Sequence, residues 1–391
     1  MSKLEAPDNQ RSSSQVSSQH GASEDDRLHH YKVLNNKYFI CLNFSDSNPI
    51  PWSIYGKQPN DAPVYFTHVF RAMEKHLKVS GLTIYLTWKL DDIPQTGQNV
   101  VAVVLGDEWS RLPSYSNSIL ATFKTYGYYP QLDFSKSEVS HFNFLRFIKQ
   151  VRTYWYYIPS IGHLLQRHLI DCLDQTRGTT FGAVYDCPLG YGNQIELPIQ
   201  PIQNRAVDIF FAGSVEHTAD KSGVRRWFSN PKVVARRSML EGVKDLQRAR
   251  PDISVNLALS SSFVLNALHY GENLEGEILQ SDEYSKSMMN SKICLVPRGT
   301  STETFRFFEA LRYGCVPITE RLPSRWFYDK SPAYQIEDWS HLPTVASKLL
   351  EDRDALQKRH EAALRWWNQV CSPEAVGHFF ASKINLHKNQ R

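Results

Sequence analysis

A short stretch with two arginines is the part of this sequence best suited to chemistry. Residues 291–319 (SKICLVPRGTSTETFRFFEALRYGCVPIT) combine an apolar run that stops at Pro297, a polar turn and a helical pattern from Thr302. A helix that starts at the carboxyl end of a buried strand presents free backbone N–H groups and a partial positive charge, which suits a phosphate. Arg298 in the turn and Arg306 in the helix add two guanidinium groups that match phosphate oxygens.

Glu309 lies three residues after Arg306, on the same face of the predicted helix. Its carboxylate could accept hydrogen bonds from ribose hydroxyls while the arginines hold a diphosphate. The same spacing is that of an ordinary ion pair on a helix surface, and Phe305, Phe308 and Leu311 have the pattern of a core face. The residues alone leave both interpretations open.

Strand-like and helical patterns alternate on both sides of this motif, which indicates an α/β fold with parallel sheets. In the first part of the chain we predict strands at 38–44, 82–88 and 100–108. We predict helices at 63–77, 141–155 and 160–175. After a stretch rich in Pro and Gly, 185–206, the same alternation starts again with a strand at 207–214. We predict two Rossmann-like domains that face a cleft, followed by a helical C-terminal tail.

The chain therefore divides into four predicted parts. Residues 1–27 are polar and rich in Ser, and are expected to be a disordered tail. The N-terminal Rossmann-like domain is predicted at 28–200 and the C-terminal one at 201–365. Residues 366–391 are predicted to form a helix that packs back on the N-terminal domain.

Composition excludes several classes of protein. The 391 residues carry a net charge of +4, which gives no reason to expect nucleic-acid binding. The six cysteines show neither C-x-x-C spacing nor a zinc-like cluster with His, and no apolar run reaches the ~18 residues of a membrane span. Motifs of P-loop enzymes, G-x-S-x-G hydrolases and H-E-x-x-H metalloproteases are absent. We expect a cytoplasmic protein.

One stretch is strongly basic. The stretch from Lys221 to Arg250 contains nine basic and two acidic residues, which gives it a net charge of +7. A solvated helix face, a set of donor-phosphate contacts and a peripheral contact with an anionic membrane surface are the alternatives that remain open. The second of them assigns Lys221, Arg225 and Arg226 to the phosphates.

The stretch 291–319 resembles the signature of the exostosin-like glycosyltransferases. The family pattern is a strand that ends in C-x-x-P-R-G, a helix with S/T-F-R-F-x-E-A-L, and then G-C-x-P-V/I. The matching residues here are Cys294, Pro297, Arg298, Gly299, Thr304, Phe305, Arg306, Phe307, Glu309, Ala310, Leu311, Gly314, Cys315, Pro317 and Ile318. DIFFAGS, residues 208–214, is similar to the strand that opens the donor domain of the same family.

The resemblance implies a GT-B fold and inverting transfer of a sugar from a nucleotide sugar to a saccharide or glycan, with no obligatory metal or cofactor. It makes 28–200 the acceptor side and 201–365 the donor side, with a UDP-sugar favoured as donor. It places Arg298 and Arg306 near the donor diphosphate and Glu309 near the ribose or sugar. Five further residues are then expected in the donor site, namely Gly213, Ser214, Arg225, Gly299 and Thr304.

Such a transfer needs a general base for the acceptor hydroxyl. Asp107 and Glu108 follow the apolar strand VVAVVL and are the predicted candidates, because loops at that strand edge face the cleft. The pair Asp352 and Asp354 imitates a metal-binding DxD, but its charged helical surroundings favour a solvated surface. The alternative function is a catalytically silent glycan-binding or partner module on the same fold.

Overall fold

The computed structural model describes residues 35–42, 48–57, 59, 62–108, 110–128, 161–162, 165, 169, 172, 182–193, 195–215, 231–260 and 281–389. The predicted tail 1–27, the predicted helix 141–155, most of the predicted helix 160–175 and Arg225 lie outside these residues. Within the described part, no helix has both the length and the apolar character needed to cross a membrane.

The first half forms a six-stranded sheet in the order β2-β1-β3-β4-β5-β6. Its strands are β1 (Lys37–Cys41), β2 (Ile50–Trp52), β3 (Thr83–Thr87), β4 (Gly97–Val104), β5 (Ile119–Lys124) and β6 (Ala183–Asp186), with helix α1 (Val64–Glu74) between β2 and β3. Only β2 pairs antiparallel; the other pairings are parallel. The apolar ends of β4 and all of β5 are buried, as expected for parallel strands covered on both faces.

The second half forms a five-stranded parallel sheet in the order β11-β10-β9-β7-β8. Its strands are β7 (Val207–Ser214), β8 (Val255–Ser260), β9 (Ser291–Val296), β10 (Val316–Glu320) and β11 (Tyr334–Ile336). The helices that follow or separate them are α2 (Pro231–Ala249), α3 (Ser281–Met289), α4 (Phe305–Arg312), α5 (Leu342–Glu351), α6 (Arg353–Trp366) and α7 (Pro373–Asn389), with a π-helix at Trp367–Cys371.

The stretch predicted as an interdomain linker begins later than expected. Its first residues belong to β6, which pairs parallel with β5 and completes the first sheet. The short strand was not predicted because only four residues form it and prolines and glycines follow closely. The remaining linker is anchored by buried Arg205, whose guanidinium donates to the carbonyls of Ser291 (2.8 Å) and Tyr313 (2.6 Å).

The chain ends on the first half, because α7 packs along α1. A side chain at Gly377 would place its Cβ 2.6 Å from the carbonyl oxygen of Val69 and 2.7 Å from the amide nitrogen of Met73. The lack of a side chain therefore allows the two helices to approach closely. Tyr65 of α1 adds a hydrogen bond of 2.8 Å to the carbonyl of Cys371.

Candidate active site

The turn after β9 brings Arg298 to the carboxyl edge of the second sheet. β7 and β9 pair in parallel with Phe210 opposite Cys294, and Arg298 follows the end of β9 by two residues. The backbone N–H of Arg298 donates to Glu320 (2.9 Å) and its Nη2 donates to the carbonyl of Thr300 (2.9 Å). Its Nε is buried and has no partner among the described residues.

Helix α4 begins at this turn. Thr304 is its N-cap residue with extended backbone, two residues after the predicted start at Thr302, and its side chain does not cap the helix. The Thr304 hydroxyl oxygen is buried and finds no partner in the described part of the chain. Gly299 lies in the turn itself, half-buried. Among the described residues, therefore, the start of α4 carries a buried hydroxyl that has no hydrogen-bond partner.

Arg306 reaches from α4 to the end of β7. Its Nη2 donates to the carbonyl of Ala212, and its guanidinium lies 4.6 Å from the ring centroid of Phe211. Arg236 of α2 donates to the carbonyl and, at 2.9 Å, to the hydroxyl of Ser214. A Cβ on Gly213 would lie 2.7 Å from Arg306 Nη2. Because residue 213 lacks a side chain, the guanidinium of Arg306 can lie over the strand end.

We call this set the arginine cradle: Gly213, Ser214, Arg236, Arg298, Gly299, Thr304 and Arg306. Three guanidinium groups, a helix N-terminus and the ends of two parallel strands lie together in it. The Nε of Arg306, like that of Arg298, is buried without a partner among the described residues. Such a concentration of donors is suited to phosphate oxygens. Six of these seven residues were predicted; Arg236 was not, because it belongs to the general run of basic residues in α2.

Glu309 has other partners than the predicted ribose. Its Oε1 accepts from the backbone N–H groups of Gly192 (3.1 Å) and Asn193 (3.0 Å), and its Oε2 accepts from the hydroxyl of Tyr284 (2.7 Å). The residue is only 5% exposed. Its carboxylate therefore ties α4 to the linker between the halves, and a sugar hydroxyl would have to compete with these bonds. The i, i+3 ion pair with Arg306 is also absent among the described contacts.

Asp107 and Glu108 lie at the carboxyl edge of the first sheet, as predicted, but differ in environment. Asp107 is buried and accepts from the backbone N–H (2.6 Å) and Nε (3.0 Å) of Arg111, and it pairs with the Nζ of Lys124 at 3.1 Å. Burial lowers the pKa of Lys124, and the charge of Asp107 opposes that shift. Glu108 is half-buried and has no ion pair or hydrogen bond among the described residues. Its carboxylate is the freer of the two.

A third acidic residue reaches this edge from the second half. Glu303, fully buried just before α4, accepts from the backbone N–H of Tyr126 (3.1 Å) and pairs with Arg325. Arg325 in turn donates to the carbonyl of Tyr126 (2.7 Å) and lies 4.0 Å from Asp186 at the end of β6. Burial raises the pKa of Glu303 to about 7, an increase that Arg325 limits, and burial also raises the pKa of Asp186.

We call Glu303 and Arg325, which together bind Tyr126, the clamp; it was not predicted from the sequence. Glu303 and Arg325 are 22 residues apart and bind the backbone of Tyr126, which is 177 residues away from Glu303. No local spacing in the sequence connects these three residues. Asp352, in contrast, belongs to no such group. It is the N-cap of α6 and accepts from the backbone N–H of Ala355 (2.9 Å), a structural role at the helix start.

A mostly parallel six-stranded sheet and a parallel five-stranded sheet, joined by a linker, define an α/β protein with two Rossmann-like sheets and a helical C-terminal tail. The family comparison is more specific, since residues 196–321 match the Exostosin GT47 domain. This segment of the chain is therefore similar to the exostosin domain. This segment contains all seven residues of the arginine cradle.

Curated relatives match over short segments of the chain. An exostosin-1 homologue of Caenorhabditis elegans is 39% identical over 74 residues, which are 19% of this chain and 17% of that protein. Exostosin-1a of Danio rerio is 30% identical over 106 residues, 24% of this chain and 14% of that protein. The chain thus spans less than a fifth of the length of these relatives.

Solved structures are similar in a looser way. The GtfA/B complex gives a TM-score of 0.39 at 10% identity, covering 75% of this chain and 58% of that one. An alpha-glucosyltransferase in complex with UDP gives a TM-score of 0.26 at 11% identity, covering 77% and 92%. The assignment of the fold rests on the two sheets themselves.

Proposed function

We propose that this protein transfers a sugar from a nucleotide-diphosphate sugar to a saccharide or glycan acceptor, and that the arginine cradle holds the donor diphosphate. The observation that supports this most is the pair of buried Nε atoms on Arg298 and Arg306 without protein partners among the described residues. Buried polar groups are normally hydrogen-bonded, so such donors at a helix N-terminus are poised for an anionic ligand. The exostosin-like character of the same segment gives that anion a chemical class.

In the proposed reaction the acceptor hydroxyl attacks the anomeric carbon while the bond from that carbon to the diphosphate breaks. Glu108 takes the hydroxyl proton, and the diphosphate leaves with the bonding electron pair, so that the configuration inverts. Glu108 suits this role better than Asp107, whose oxygens are occupied by Arg111 and Lys124. Guanidinium groups and the N-terminus of α4 would balance the leaving charge, a task for which other transferases use a metal ion.

The donor site is tested by isothermal titration of UDP, GDP, ADP and CMP, each with Mg²⁺ and with EDTA. We expect UDP to bind best and equally well in EDTA. Arg306→Ala should weaken binding by about tenfold or more, as the loss of a charge-assisted contact predicts. Arg248→Ala is the matched control, because Arg248 is an exposed arginine of the same half that pairs only with Asp245 among the described residues.

Normal UDP affinity in Arg306→Ala would refute the donor assignment, and strict dependence on Mg²⁺ would refute the metal-independent form. Glu108→Gln then tests the chemistry. It should retain UDP binding and lose transfer to a saccharide acceptor, whereas unchanged turnover would exclude Glu108 as the base. Donor binding without transfer in the wild-type protein would favour a glycan-binding module on the same fold.

A further inference from the structure

A cavity of about 360 Å³ lies where the linker crosses between the two halves. Its walls include His68 of α1, Tyr191 and Glu196 of the linker, Arg312 of α4, and Trp367 and Glu374 at the junction of α6 and α7. Arg312 is the last residue of α4, whereas Thr304 and Arg306 of the cradle are at its start. At ~1.5 Å per residue the helix separates the two sites by roughly 10 Å. The cavity is therefore distinct from the donor site.

Two largely buried aromatic side chains, Tyr191 and Trp367, line this cavity. Tyr191 and Trp367 are each only 7% exposed. Within the described part of the chain neither the Tyr191 hydroxyl nor the indole N–H of Trp367 makes a hydrogen bond, and neither atom is fully enclosed. Tyr and Trp usually find a hydrogen-bond partner when they are buried. Because both residues line the cavity, a ligand bound in it would lie close to these two polar groups.

Arg312 adds a rigid, planar donor. Its guanidinium lies 4.1 Å from the ring centroid of Tyr191, and its Nη1 donates to the carbonyl of Asn193 at 2.9 Å. Glu196 lies 3.6 Å from its Nη2, and only 10% of the Arg312 side chain is exposed. The stacking on Tyr191 and the hydrogen bond to Asn193 hold the guanidinium group of Arg312 in place. Its remaining N–H groups are therefore oriented before a ligand binds.

The charges of the walls favour a neutral ligand. Glu196 and Glu374 bring two negative charges against the one positive charge of Arg312. Burial, followed by the charge of Arg71, lowers the pKa of His68, which favours its neutral form. An anionic ligand would be repelled, whereas hydroxyl groups can donate to the carboxylates and accept from the phenol, indole and guanidinium groups.

We propose that this cavity is a second saccharide-binding site, which takes a neutral sugar unit away from the donor site. Its volume is at the small end of the range for ligand pockets, ~300–1,000 Å³, which suits one or two sugar rings. Its walls combine aromatic groups with polar groups that can bind several hydroxyls. The site goes beyond the proposed transfer reaction, because none of its walls belongs to the arginine cradle. The π-helix at Trp367–Cys371, a feature often found at functional sites, forms part of the rim.

The test uses cellobiose, lactose and N,N′-diacetylchitobiose as neutral probes and a hyaluronan disaccharide as a uronate probe. Saturation-transfer NMR and isothermal titration are run on the full chain, on Tyr191→Phe and on Glu374→Ala. Tyr191→Phe keeps the ring that packs in the core, and Glu374 is exposed, so both variants should fold. Arg306→Ala and the exposed Ser382→Ala are the controls.

We expect at least one neutral disaccharide to bind at millimolar concentration, with about tenfold weaker binding in Tyr191→Phe and in Glu374→Ala. Binding should be unchanged in Arg306→Ala, although that variant loses UDP, and the uronate probe should bind more weakly. The proposal is overturned if no neutral probe binds, if both cavity variants bind as well as the wild type, if Arg306→Ala abolishes saccharide binding, or if the uronate binds best. A wild-type protein that binds a neutral disaccharide but not UDP would count against the donor assignment and leave this site intact.

Discussion

Glu303 and Arg325 form a buried ion pair that binds the backbone of one residue of the opposite half, Tyr126. Glu303 accepts from the N–H of Tyr126, and Arg325 donates to the carbonyl of the same residue. Tyr126 has a φ of 60°, in the left-handed region that few non-glycine residues adopt. Since Glu303 immediately precedes Thr304, the clamp fixes the start of α4 relative to the strand edge that carries Glu108. We infer that it sets the distance between the proposed donor site and the proposed base.

Removing the cation of the clamp should destabilise the protein strongly. Arg325→Ala leaves the carboxylate of Glu303 buried without its partner, and losing one member of a buried pair costs about 3–5 kcal/mol. Urea unfolding measures the loss. Arg248→Ala removes an exposed pair and should change the free energy of unfolding by less than about 1 kcal/mol. Equal stability of Arg325→Ala and the wild type would show that the pair does not join the halves.

Stability should also depend on pH through Glu303. Burial raises the pKa of this carboxyl from 4.5 to about 7, so between these values the folded protein holds a proton that the unfolded chain releases. The free energy of unfolding should therefore fall as pH rises through this window and level off above it. Glu303→Gln should reduce this slope, and Asp186, whose pKa burial also raises, accounts for part of the remainder. Identical slopes in urea unfolding series from pH 5 to pH 8 would contradict the assignment.

Gly213 should be required for the position of Arg306. In Gly213→Ala the new Cβ would meet Arg306 Nη2 at 2.7 Å, so the guanidinium must leave the strand end. We expect UDP affinity to fall by about tenfold, and the free energy of unfolding by about 1–3 kcal/mol from overpacking. Gly162→Ala is the control, because nothing described lies within 4 Å of a Cβ there. A Gly213→Ala protein with unchanged affinity would argue against Arg306 as a diphosphate ligand.

Variants of Glu309 test whether this residue holds α4 to the linker or contacts the ribose of the donor. Glu309→Ala should lose about 1–3 kcal/mol of stability, because the N–H groups of Gly192 and Asn193 and the hydroxyl of Tyr284 lose their acceptor. Glu309→Gln retains one carbonyl oxygen and should be milder. UDP affinity measured on the glutamine variant decides between the roles. An unchanged value supports the tether, and a marked decrease without loss of stability supports the ribose contact that the sequence predicts.

Several elements could be predicted because their signals are local. The strand at 207–214 is β7 with the same bounds, and the apolar run before Pro297 and the helix after it are β9 and α4. The strands β5 and β6 were missed. β5 ends in Lys124, and lysine is normally an exposed residue. Here Lys124 is buried, and its ammonium group pairs with Asp107 and donates to three backbone carbonyls.

What the sequence by itself determined is the strand–turn–helix order and the type of each residue in it, because backbone sterics and apolar periodicity act over a few residues. That is sufficient to place two arginines and a helix N-terminus at one strand edge. Only the tertiary structure decided which groups each side chain meets. Glu309 accepts a hydrogen bond from the N–H of Asn193, 116 residues away. Glu303 accepts one from the N–H of Tyr126 in the other half. Such pairings follow from how α4 and its preceding turn meet loops that are distant in the sequence, a geometry that no local pattern encodes.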